Sequence, residues 1–363
     1  MENVLQVVKL LGELLMIAIA LLLIYLGIYR KMEPLLLVPI GFGAMLVNIP
    51  SSDMAVNGIL ALFVEYLIKT EIVPLLIFLG IGALIDFGPL IANPMTFLLG
   101  AAAQIGVFVA FMLATLLGFN LAEAASIGII GGADGPTTIY ITTALSPHLL
   151  AATAVAAYSY MSLVPLIQPP VIKALTSREE RRMRMKPLRE VSKNEKIAFS
   201  VVVTLVTGSL VPSALPLVGM LMAGNLFRES GVTDRLAKGA SEELLNIMTI
   251  ILGLSIGSTM QASSFLRLDT LFVLTLGVVA FASATAGGVL LAKLMNLFLR
   301  EKINPMIGAA GVSAVPMSAR VVQRLAAEED PDNFVLMHAM GPNIAGVIGT
   351  AVVAGAFIQL LGM

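Results

Sequence analysis

An aspartate inside an apolar stretch is the residue of this sequence best suited to chemistry. Asp134 lies in the segment GIIGGADGPTT, residues 128–138, where three glycines precede it and Gly-Pro follows. Glycine costs about 1 kcal/mol in a helix interior and proline about 3 kcal/mol, so a continuous helix is not expected here. Within a lipid bilayer, a break is tolerated only where protein or a water-filled cavity satisfies the freed backbone groups. We therefore expect Asp134 in a mid-membrane break, next to freed carbonyl oxygens.

The chemistry open to Asp134 is the binding of a cation or a proton. An ionised carboxylate in hydrocarbon is costly, so an acid inside a membrane usually has a functional role. Carboxylate and carbonyl oxygens suit hard cations, and sodium at a broken helix is a known arrangement in transporters. With no cysteine and two histidines, the sequence offers little to a soft metal. The alternative is that Asp134 only caps the following helix, with Thr137 in its first turn.

A second segment of the same design spans residues 304–324, NPMIGAAGVSAVPMSARVVQR, in which Asn304 and Ser313 bring neutral oxygens. Pro316 breaks the helix, and Arg320 follows one turn later. A guanidinium that faces a cavity is suited to a carboxylate ligand, which it can bind through two parallel hydrogen bonds. The alternative is an arginine that reaches from a helix end to the membrane interface. Paired broken segments in matching positions are the best sequence pointer to a transporter binding site.

Other polar residues in apolar surroundings give weaker signals. Tyr158 and Tyr160 lie in AAYSYMSLVP, where an aromatic belt at the membrane interface is the simpler interpretation. Asn343 adds an amide next to a Gly-Pro pair, and His338 is more typical of a packing histidine than of a ligand. Asp86 could equally lie at a membrane boundary.

The composition places these segments in a membrane. Of 363 residues, 58% are hydrophobic and 12% are charged, against roughly 45–50% and 25% in soluble domains. So little charge could not cover a water-facing surface, and lipid must face most of it. The formal net charge of −1 predicts no partner by bulk electrostatics, and in particular no nucleic acid.

Apolar runs of about 20 residues, long enough to cross a bilayer, recur along the chain. The clean candidates are residues 7–29, 71–92, 95–118, 149–175, 197–223, 270–298 and 334–360. Shorter apolar segments, which suit re-entrant or broken helices, are residues 34–49, 55–69, 121–134, 137–147, 244–260 and 306–318. The first run has no small-residue cleavage pattern behind it, so we expect a transmembrane helix and not a removed signal peptide.

One basic stretch, SREERRMRMKPLREVSKNEK at residues 177–196, divides the chain into two similar halves. It holds eight Lys/Arg and four Glu, so the positive-inside rule predicts a cytoplasmic linker. The linker could also dock a soluble partner. Glycines and a proline recur in the same order in the two halves: Gly80, Gly128, Gly131 and Pro136 match Gly253, Gly308, Gly311 and Pro316. Such an internal repeat is typical of secondary transporters.

The predicted fold is an all-α polytopic membrane protein with two inverted repeats and broken, discontinuous helices, similar to elevator transporters. Its predicted parts are an N-terminal transmembrane helix (1–33), a first membrane repeat (34–176), a basic cytoplasmic linker (177–196) and a second membrane repeat (197–363). Arg30 and Lys31 also look cytoplasmic, which would leave the N-terminus outside.

Four long motifs carry a resemblance to a known family. They are GGADGPTTIY (131–140), AAYSYMSLVPLIQPPV (156–171), NPMIGAAGVSAVPMSAR (304–320) and LMHAMGPNIAGVIG (336–349). In this order they resemble the signatures of the β subunit of the sodium-translocating, biotin-dependent decarboxylases, which include the oxaloacetate, methylmalonyl-CoA and glutaconyl-CoA pumps. The similarity extends from about residue 34 to the C-terminus. The shortness of the N-terminal end, compared with oxaloacetate-type subunits, favours the acyl-CoA pumps.

The resemblance implies decarboxylation of carboxybiotin, coupled to outward sodium transport and to consumption of a proton. By position, Asp134 matches the family's aspartate that alternately meets sodium and a proton, and Tyr160 matches a functional tyrosine. Four further positions match those of the family's second broken helix: Asn304, Gly308, Ser313 and Arg320. Asn343 matches an amide expected to bind sodium. The implied catalytic residues are Asp134, Tyr160 and Arg320; the carboxybiotin-binding residues are Arg320, Asn304 and Gly308; and the sodium ligands are Asp134, Asn304, Ser313 and Asn343.

The resemblance also implies partners and a location. Because the sequence has no Ala-Met-Lys-Met biotinylation motif, carboxybiotin must arrive on a separate biotin carrier protein, which a carboxyltransferase subunit would load. A small membrane subunit, membrane lipid and further copies of this chain complete the expected assembly. The expected location is the cytoplasmic membrane of a bacterium or archaeon.

This chemistry agrees with the residue types, but they also allow an alternative. Carboxybiotin is an anion that Arg320 could bind, and loss of CO2 leaves a ureido nitrogen that needs a proton. Asp134 could release that proton as sodium arrives, with Tyr160 as a relay. The alternative is a sodium-coupled secondary carboxylate transporter, which the same acid and arginine would suit. A non-catalytic membrane scaffold would not explain the clustering of Asp134, Ser313 and Arg320.

Overall fold

Helices are the only regular secondary structure in the part of the chain that the structure describes. The computed structural model describes residues 2–362, except for the side chains of residues 2–5 and 162. Met1 and Met363, the outer ends of the predicted N-terminal helix and second repeat, therefore lie outside the described residues. Within residues 2–362 there is no β-strand. The prediction of an all-α protein is confirmed for this part of the chain.

The helices follow the apolar runs and are numbered in chain order. Up to residue 175 they are α1 (Glu2–Tyr29), α2 (Pro34–Asn48), α3 (Ile59–Phe63), α4 (Ile72–Leu84), α5 (Gly88–Ala92), α6 (Thr96–Ala103), α7 (Ile105–Leu116), α8 (Leu121–Gly128), α9 (Gly135–Leu145) and α10 (Leu150–Leu175). From the linker onward they are α11 (Arg178–Arg181), α12 (Lys193–Leu210), α13 (Leu215–Glu229), α14 (Asp234–Gly239), α15 (Leu245–Thr259), α16 (Ala262–Phe265), α17 (Leu268–Met295), α18 (Met317–Glu329) and α19 (Leu336–Leu361). Short π or 3₁₀ turns join several of them.

The lengths of these helices agree with a polytopic membrane protein. Among the described residues, five helices are long and apolar enough to cross a membrane, and counting each of two bent pairs as one span raises the total to seven. One bend, of 68°, separates Ile59–Ile68 from α4. The other, of 64°, divides α10.

Three of the apolar segments differ from their prediction, one of them residues 71–92, where α4 ends at Leu84 and α5 begins only at Gly88. The single span predicted at residues 197–223 is wrong, because α12 ends at Leu210 and a 3₁₀ turn at Pro212–Ala214 separates it from α13, against which it packs. Residues 244–260 are not too short to span, because the helical run begins at Asp234 and reaches Thr259. Its first turns are polar, so hydropathy alone does not detect them.

Helices α8 and α9 form a hairpin, which we call the first hairpin (residues 120–148). Glu123 completes a capping box at the start of α8, which satisfies the free amide groups of that end. The chain tightens into a 3₁₀ turn at Ile129–Gly132 and then reverses through Ala133, whose φ of 53° is left-handed. Glu123 Oε1 lies 3.0 Å from His148 Nε2. Both ends of the hairpin therefore lie on the same side of the protein.

Residues 304–330 form a second hairpin, whose arms are a 3₁₀ helix (Pro305–Gly311) and α18. At its start, Asn304 Nδ2 donates to the backbone oxygen of Arg181 in the linker at 3.2 Å. At its end, Glu329 pairs with the guanidinium of the same arginine at 2.7 Å. Both ends of the second hairpin therefore lie against the linker.

The two hairpins open to opposite sides of the protein. Helix α10 starts next to the open end of the first hairpin and reaches the linker after 26 residues. With its 64° bend, its two ends lie about 32 Å apart, which is close to the hydrocarbon thickness of a bilayer. This opposite orientation agrees with the two inverted repeats expected from the sequence. The inverted repeat, the elevator-like motion and the division into repeats stay predictions.

The linker is anchored to the second half of the chain by its charges. Arg184 pairs with Asp330 at 2.8 Å, and Arg178 pairs with Glu329 at 3.0 Å. Lys186 pairs with Glu301. Because acids of the second half balance these basic side chains, they do not form an unbalanced cationic surface. The arrangement favours an anchoring role for the linker over electrostatic docking of a soluble partner.

The linker ion pairs predict sensitivity to acid. Hydrogen bonding to Arg184 holds the pKa of the Asp330 carboxyl below its usual value, and hydrogen bonding to Arg189 lowers the pKa of Glu195 to about 2. A carboxyl whose pKa is lowered by folding stabilises the fold above its unfolded pKa, which is about 4, and this contribution is lost as pH falls through the folded pKa. We expect the thermal unfolding temperature of the purified protein to fall between about pH 5 and about pH 2.

Two substitutions assign that acid sensitivity to the linker. Asp330→Asn should lower the unfolding temperature at neutral pH and make it less dependent on pH, since the ion pair with Arg184 is already lost. Glu190→Gln changes an exposed carboxylate of the same linker and should leave both quantities as in the wild type. Equal pH profiles for Asp330→Asn and the wild type would contradict the assignment.

Candidate functional site

The two hairpins meet tip to tip in the interior of the protein. The carbonyl oxygen of Gly132, in the first hairpin, accepts a hydrogen bond from the Ser313 amide at 2.9 Å and another from the Ser313 hydroxyl at 2.6 Å. Both residues are buried, and they are 181 positions apart in the chain. The two broken segments identified in the sequence therefore form one site.

Asp134 lies two residues beyond this contact and begins α9. Its carboxylate accepts a hydrogen bond from the Thr137 amide at 3.3 Å, and the Thr138 hydroxyl donates to its backbone oxygen at 2.8 Å. The capping role considered for Asp134 is thus confirmed, and it does not use up the carboxylate. The side chain is 5% exposed, and among the described residues no lysine or arginine forms an ion pair with it. A buried carboxylate in this position needs a cation or a proton.

Asn343 supplies a polar group to the tip of the second hairpin. Its side-chain nitrogen donates to the backbone oxygens of Ala310 at 2.9 Å and Val312 at 2.7 Å, which satisfies carbonyls that the break leaves free. These two bonds fix the orientation of the amide. Its oxygen, Oδ1, is buried and has no hydrogen-bond partner among the described residues. It is therefore an available acceptor close to the contact between the hairpins.

Tyr158 packs directly against the break of the first hairpin. A Cβ atom at Gly135, the residue after Asp134, would lie 2.1 Å from Cε1 of Tyr158 and 2.7 Å from its hydroxyl oxygen. Only glycine leaves room for the ring, which is itself 2% exposed. The simpler interpretation of the sequence put Tyr158 in an aromatic belt at the membrane interface, but in the structure it lies beside Asp134.

Other predicted site residues lie away from the contact between the tips. The hydroxyl of Tyr160 donates to the backbone oxygen of Leu274 in α17. Asn304 Nδ2 donates to linker oxygens, including that of Met183 at 2.9 Å. Gly308 packs against the backbone of Gly288. The ligand and catalytic roles of Tyr160, Asn304 and Gly308 stay predictions.

Arg320 occupies an exposed position on α18. It is close in sequence to the tip residue Ser313, and one turn further along the helix Arg324 donates to the backbone oxygen of Pro165 in α10 at 3.3 Å. An exposed guanidinium at this place is open to an anionic ligand. Its predicted roles in catalysis and carboxybiotin binding stay predictions.

Two glutamines that the sequence analysis did not select support the hairpins. Gln168 of α10 donates to the backbone oxygen of Ala309 at 2.9 Å and to the hydroxyl of Ser318 at 2.7 Å, which ties both arms of the second hairpin to α10. Gln104 accepts from the hydroxyl of Thr350 at 3.3 Å, behind the Gly132 turn. A lone amide in an otherwise apolar span is the signal that could have identified both.

The site suits a singly charged cation or a proton. Among the described residues there is no group of three or more His, Cys, Asp and Glu side chains that could hold a metal ion. Asp134 instead brings one negative charge, and the other groups at the contact between the hairpins, such as the Asn343 oxygen and the backbone carbonyls, are neutral. One carboxylate balances one positive charge, and divalent cations are usually bound by several carboxylates.

The sequence is similar over nearly its whole length to known membrane-pump subunits. Residues 12–361 match the family described as Na+-transporting oxaloacetate decarboxylase beta subunit. The chain is 59% identical over 350 residues to the methylmalonyl-CoA decarboxylase subunit beta of Veillonella parvula, covering 96% of this chain and 93% of that protein. It is 57% identical to the glutaconyl-CoA decarboxylase subunit beta of Acidaminococcus fermentans, covering 97% and 94%. Identity to the oxaloacetate decarboxylase beta chain of Klebsiella pneumoniae is 48%, covering 96% and 95%.

Proposed function

Because the chain belongs to the family of Na+-transporting oxaloacetate decarboxylase beta subunits, we propose that the reaction it catalyses is the decarboxylation of carboxybiotin. Decarboxylation coupled to sodium transport is the function of this family, so the chain is the membrane subunit of a sodium pump. The proposal goes beyond the family assignment in two respects: it names the molecule that loses CO2, and it names the residues that couple this loss to sodium transport. Membership of the family also excludes the alternative of a plain secondary carboxylate transporter.

The observation that carries the proposal is the isolation of Asp134. It is 5% exposed, lies beside the contact between the two hairpins and has no basic partner among the described residues. Such a carboxylate is stable either protonated or next to a cation, and not as a bare anion. Sodium and a proton therefore compete for it. Arrival of sodium releases the proton, which is the exchange that a coupled pump requires.

The released proton completes the decarboxylation. The bond between the ureido nitrogen of carboxybiotin and its carboxyl carbon breaks, CO2 leaves, and the electron pair stays on the nitrogen. That nitrogen takes up the proton from Asp134 and becomes the N–H of biotin. We assign Tyr160 to the relay of this proton by its position in the motif, and Tyr158 is the phenol that lies nearer to Asp134 in this conformation.

The remaining assignments follow the chemistry of each residue. Exposed Arg320 binds the carboxylate of carboxybiotin, with Asn304 and Gly308 completing that side of the site. Ser313 and Asn343 contribute oxygens to sodium, together with Asp134; Asn304, the other predicted ligand, lies at the open end of the second hairpin in this conformation. Supporting this, Ser313 lies at the contact between the hairpins and Asn343 Oδ1 is an available acceptor.

The assembly and its location follow from the same proposal. A carboxyltransferase loads biotin on a separate carrier protein, which approaches the linker side of the chain. That side is cytoplasmic because the linker is rich in basic residues, and the membrane is the cytoplasmic membrane of a bacterium or archaeon. A small membrane subunit and further copies of the chain complete the complex. Sodium leaves on the other side through a motion of the two inverted repeats.

The proposal is tested with free carboxybiotin. Purified protein in detergent should release CO2 from free carboxybiotin faster with sodium than with an equal concentration of choline. Arg320→Lys should reduce this rate by about tenfold or more, because lysine keeps the charge but cannot bind a carboxylate through two parallel hydrogen bonds. Arg324→Lys, one turn away, is the matched control and should stay near the wild type. Absence of any sodium-dependent CO2 release from wild-type protein would refute the assignment of carboxybiotin.

A further inference from the structure

Gln168 of α10 joins the two arms of the second hairpin. Its Nε2 donates to the backbone oxygen of Ala309, in the first arm, at 2.9 Å and to the hydroxyl of Ser318, in the first turn of α18, at 2.7 Å. The Ser318 hydroxyl in turn lies 3.1 Å from Gln168 Oε1 and 3.2 Å from the Ala309 oxygen. All three residues are 0% exposed. A buried polar network whose groups all have partners is rigid.

Gln168 differs from Asn343, the amide that holds the same hairpin from α19. Asn343 donates to the oxygens of Ala310 and Val312, and its own oxygen has no hydrogen-bond partner among the described residues. Both polar atoms of Gln168 lie within hydrogen-bond distance of a partner in the hairpin. Asn343 therefore keeps an acceptor for a ligand, whereas Gln168 acts through the residues that it holds.

The two residues that Gln168 holds lie on either side of the hairpin tip. Ala309 precedes Ser313 by four residues, and Ser318 follows it by five. Consecutive residues of an α-helix are about 100° apart around its axis, so Arg320 points about 200° away from Ser318. Because Ser318 is turned inwards to α10, Arg320 is turned to the exposed face of α18. Gln168 thus fixes both the tip that carries Ser313 and the rotation of the helix that carries Arg320.

We propose that Gln168 is a positioning residue of the coupled reaction, which holds the sodium ligand Ser313 and the carboxybiotin ligand Arg320 in one fixed arrangement. The inference rests on the proposed function, which assigns those two ligands. It adds that a single buried side chain of α10 sets the affinity for both. Sodium and carboxybiotin bind to a hairpin whose arms do not shift independently, so a change at Gln168 alters the two affinities together.

The first test is Gln168→Met, because methionine has a similar length but donates no hydrogen bond. With purified protein and free carboxybiotin, the variant should raise the KM for carboxybiotin and the sodium concentration for half-maximal CO2 release by about tenfold each. The kcat at saturating sodium and carboxybiotin should change less than either constant. Wild-type values of both constants in folded Gln168→Met would overturn the proposal.

The control is a buried amide that joins helices outside the hairpins. Asn225 of α13 is 0% exposed, donates to the backbone oxygen of Ile85 at 3.4 Å and accepts from the Ser200 hydroxyl at 2.8 Å. Asn225→Leu should lower the thermal unfolding temperature, since it leaves buried partners unpaired, and both constants should stay as in the wild type. The same pattern in Gln168→Met would show a purely structural role and overturn the proposal.

Ser318→Ala is a smaller change that keeps a good helix former in α18. It should raise the same two constants by about threefold. The double variant with Gln168→Met should resemble Gln168→Met alone, because both changes remove one shared contact. Additive effects, or wild-type constants in Ser318→Ala, would show that Gln168 does not act through α18 and leave the proposed function intact. Absence of sodium-dependent CO2 release from the wild type would instead remove the proposed function.

Discussion

Replacement of Asp134 by asparagine is expected to abolish sodium-dependent decarboxylation while the protein still folds. Asparagine preserves the size of the side chain and can still accept the Thr137 amide hydrogen bond that caps α9. It can neither carry the proton nor neutralise sodium. We expect a loss of at least about 100-fold in CO2 release, the usual scale for removal of an acid–base group. Sodium uptake into proteoliposomes that contain the complex should fall by the same factor.

The control for Asp134→Asn removes an equal charge elsewhere. Asp269, at the start of α17, is partly exposed and pairs with Arg267 at 3.3 Å, so Asp269→Asn should keep near-wild-type activity. Thermal unfolding of Asp134→Asn should be as cooperative as that of the wild type and occur at an equal or higher temperature, because an uncompensated buried acid is removed. Full activity in Asp134→Asn would exclude this residue from the mechanism.

The second large effect is expected from a single methyl group at Gly135. In Gly135→Ala the added Cβ would lie 2.1 Å from Cε1 and 2.3 Å from Cζ of Tyr158, so the ring or the first turn of α9 must move. Overpacking of this kind costs about 1–3 kcal/mol, and the movement falls on the residue next to Asp134. We expect CO2 release to decrease by about 100-fold or more, since small displacements of reacting groups have such effects.

Two companion variants assign the Gly135→Ala effect to the clash. Gly239→Ala adds a methyl group where nothing lies within 4 Å, and it should stabilise or leave unchanged the helix that contains it. The double variant Gly135→Ala/Tyr158→Leu removes the ring atoms that clash. It should therefore recover the unfolding temperature lost in Gly135→Ala, whatever its activity. A Gly135→Ala variant as active as the wild type would show that the ring is not held at this place.

The position of Asp134 could be predicted from sequence because its signal is local. Glycines, a proline and an acid within a few residues are enough to exclude a straight helix and to identify a buried charge. The contact that completes the site is not local. Gly132 and Ser313 are 181 residues apart, and no pattern within either segment specifies that one carbonyl accepts both hydrogen bonds. The pairing of the hairpins comes from tertiary packing.

Asn304 shows where sequence reasoning about the site was incomplete. Its oxygen caps the first arm of the second hairpin, and its nitrogen binds the linker backbone. The sequence of the linker is typical of a polar connection exposed to water. No local pattern therefore predicts that its backbone carbonyl oxygens accept hydrogen bonds from Asn304. The missed turn at Pro212–Ala214 has a similar cause. The residues on both sides of it are apolar, and hydropathy does not distinguish a turn inside an apolar run from a continuous helix.

The contact between Gly132 and Ser313 has a consequence for ion leakage. Both residues of this contact are buried, so in this conformation solvent does not reach the point where the two hairpins join. Each elementary charge that flowed back across the bilayer would dissipate about 2.3 kcal/mol per 100 mV of membrane potential. The carbonyl oxygen of Gly132 accepts hydrogen bonds from both the amide and the hydroxyl of Ser313. Both hydrogen bonds must break, in apolar surroundings, before the hairpins can separate and let ions leak back. The membrane gradient is thereby conserved between turnovers.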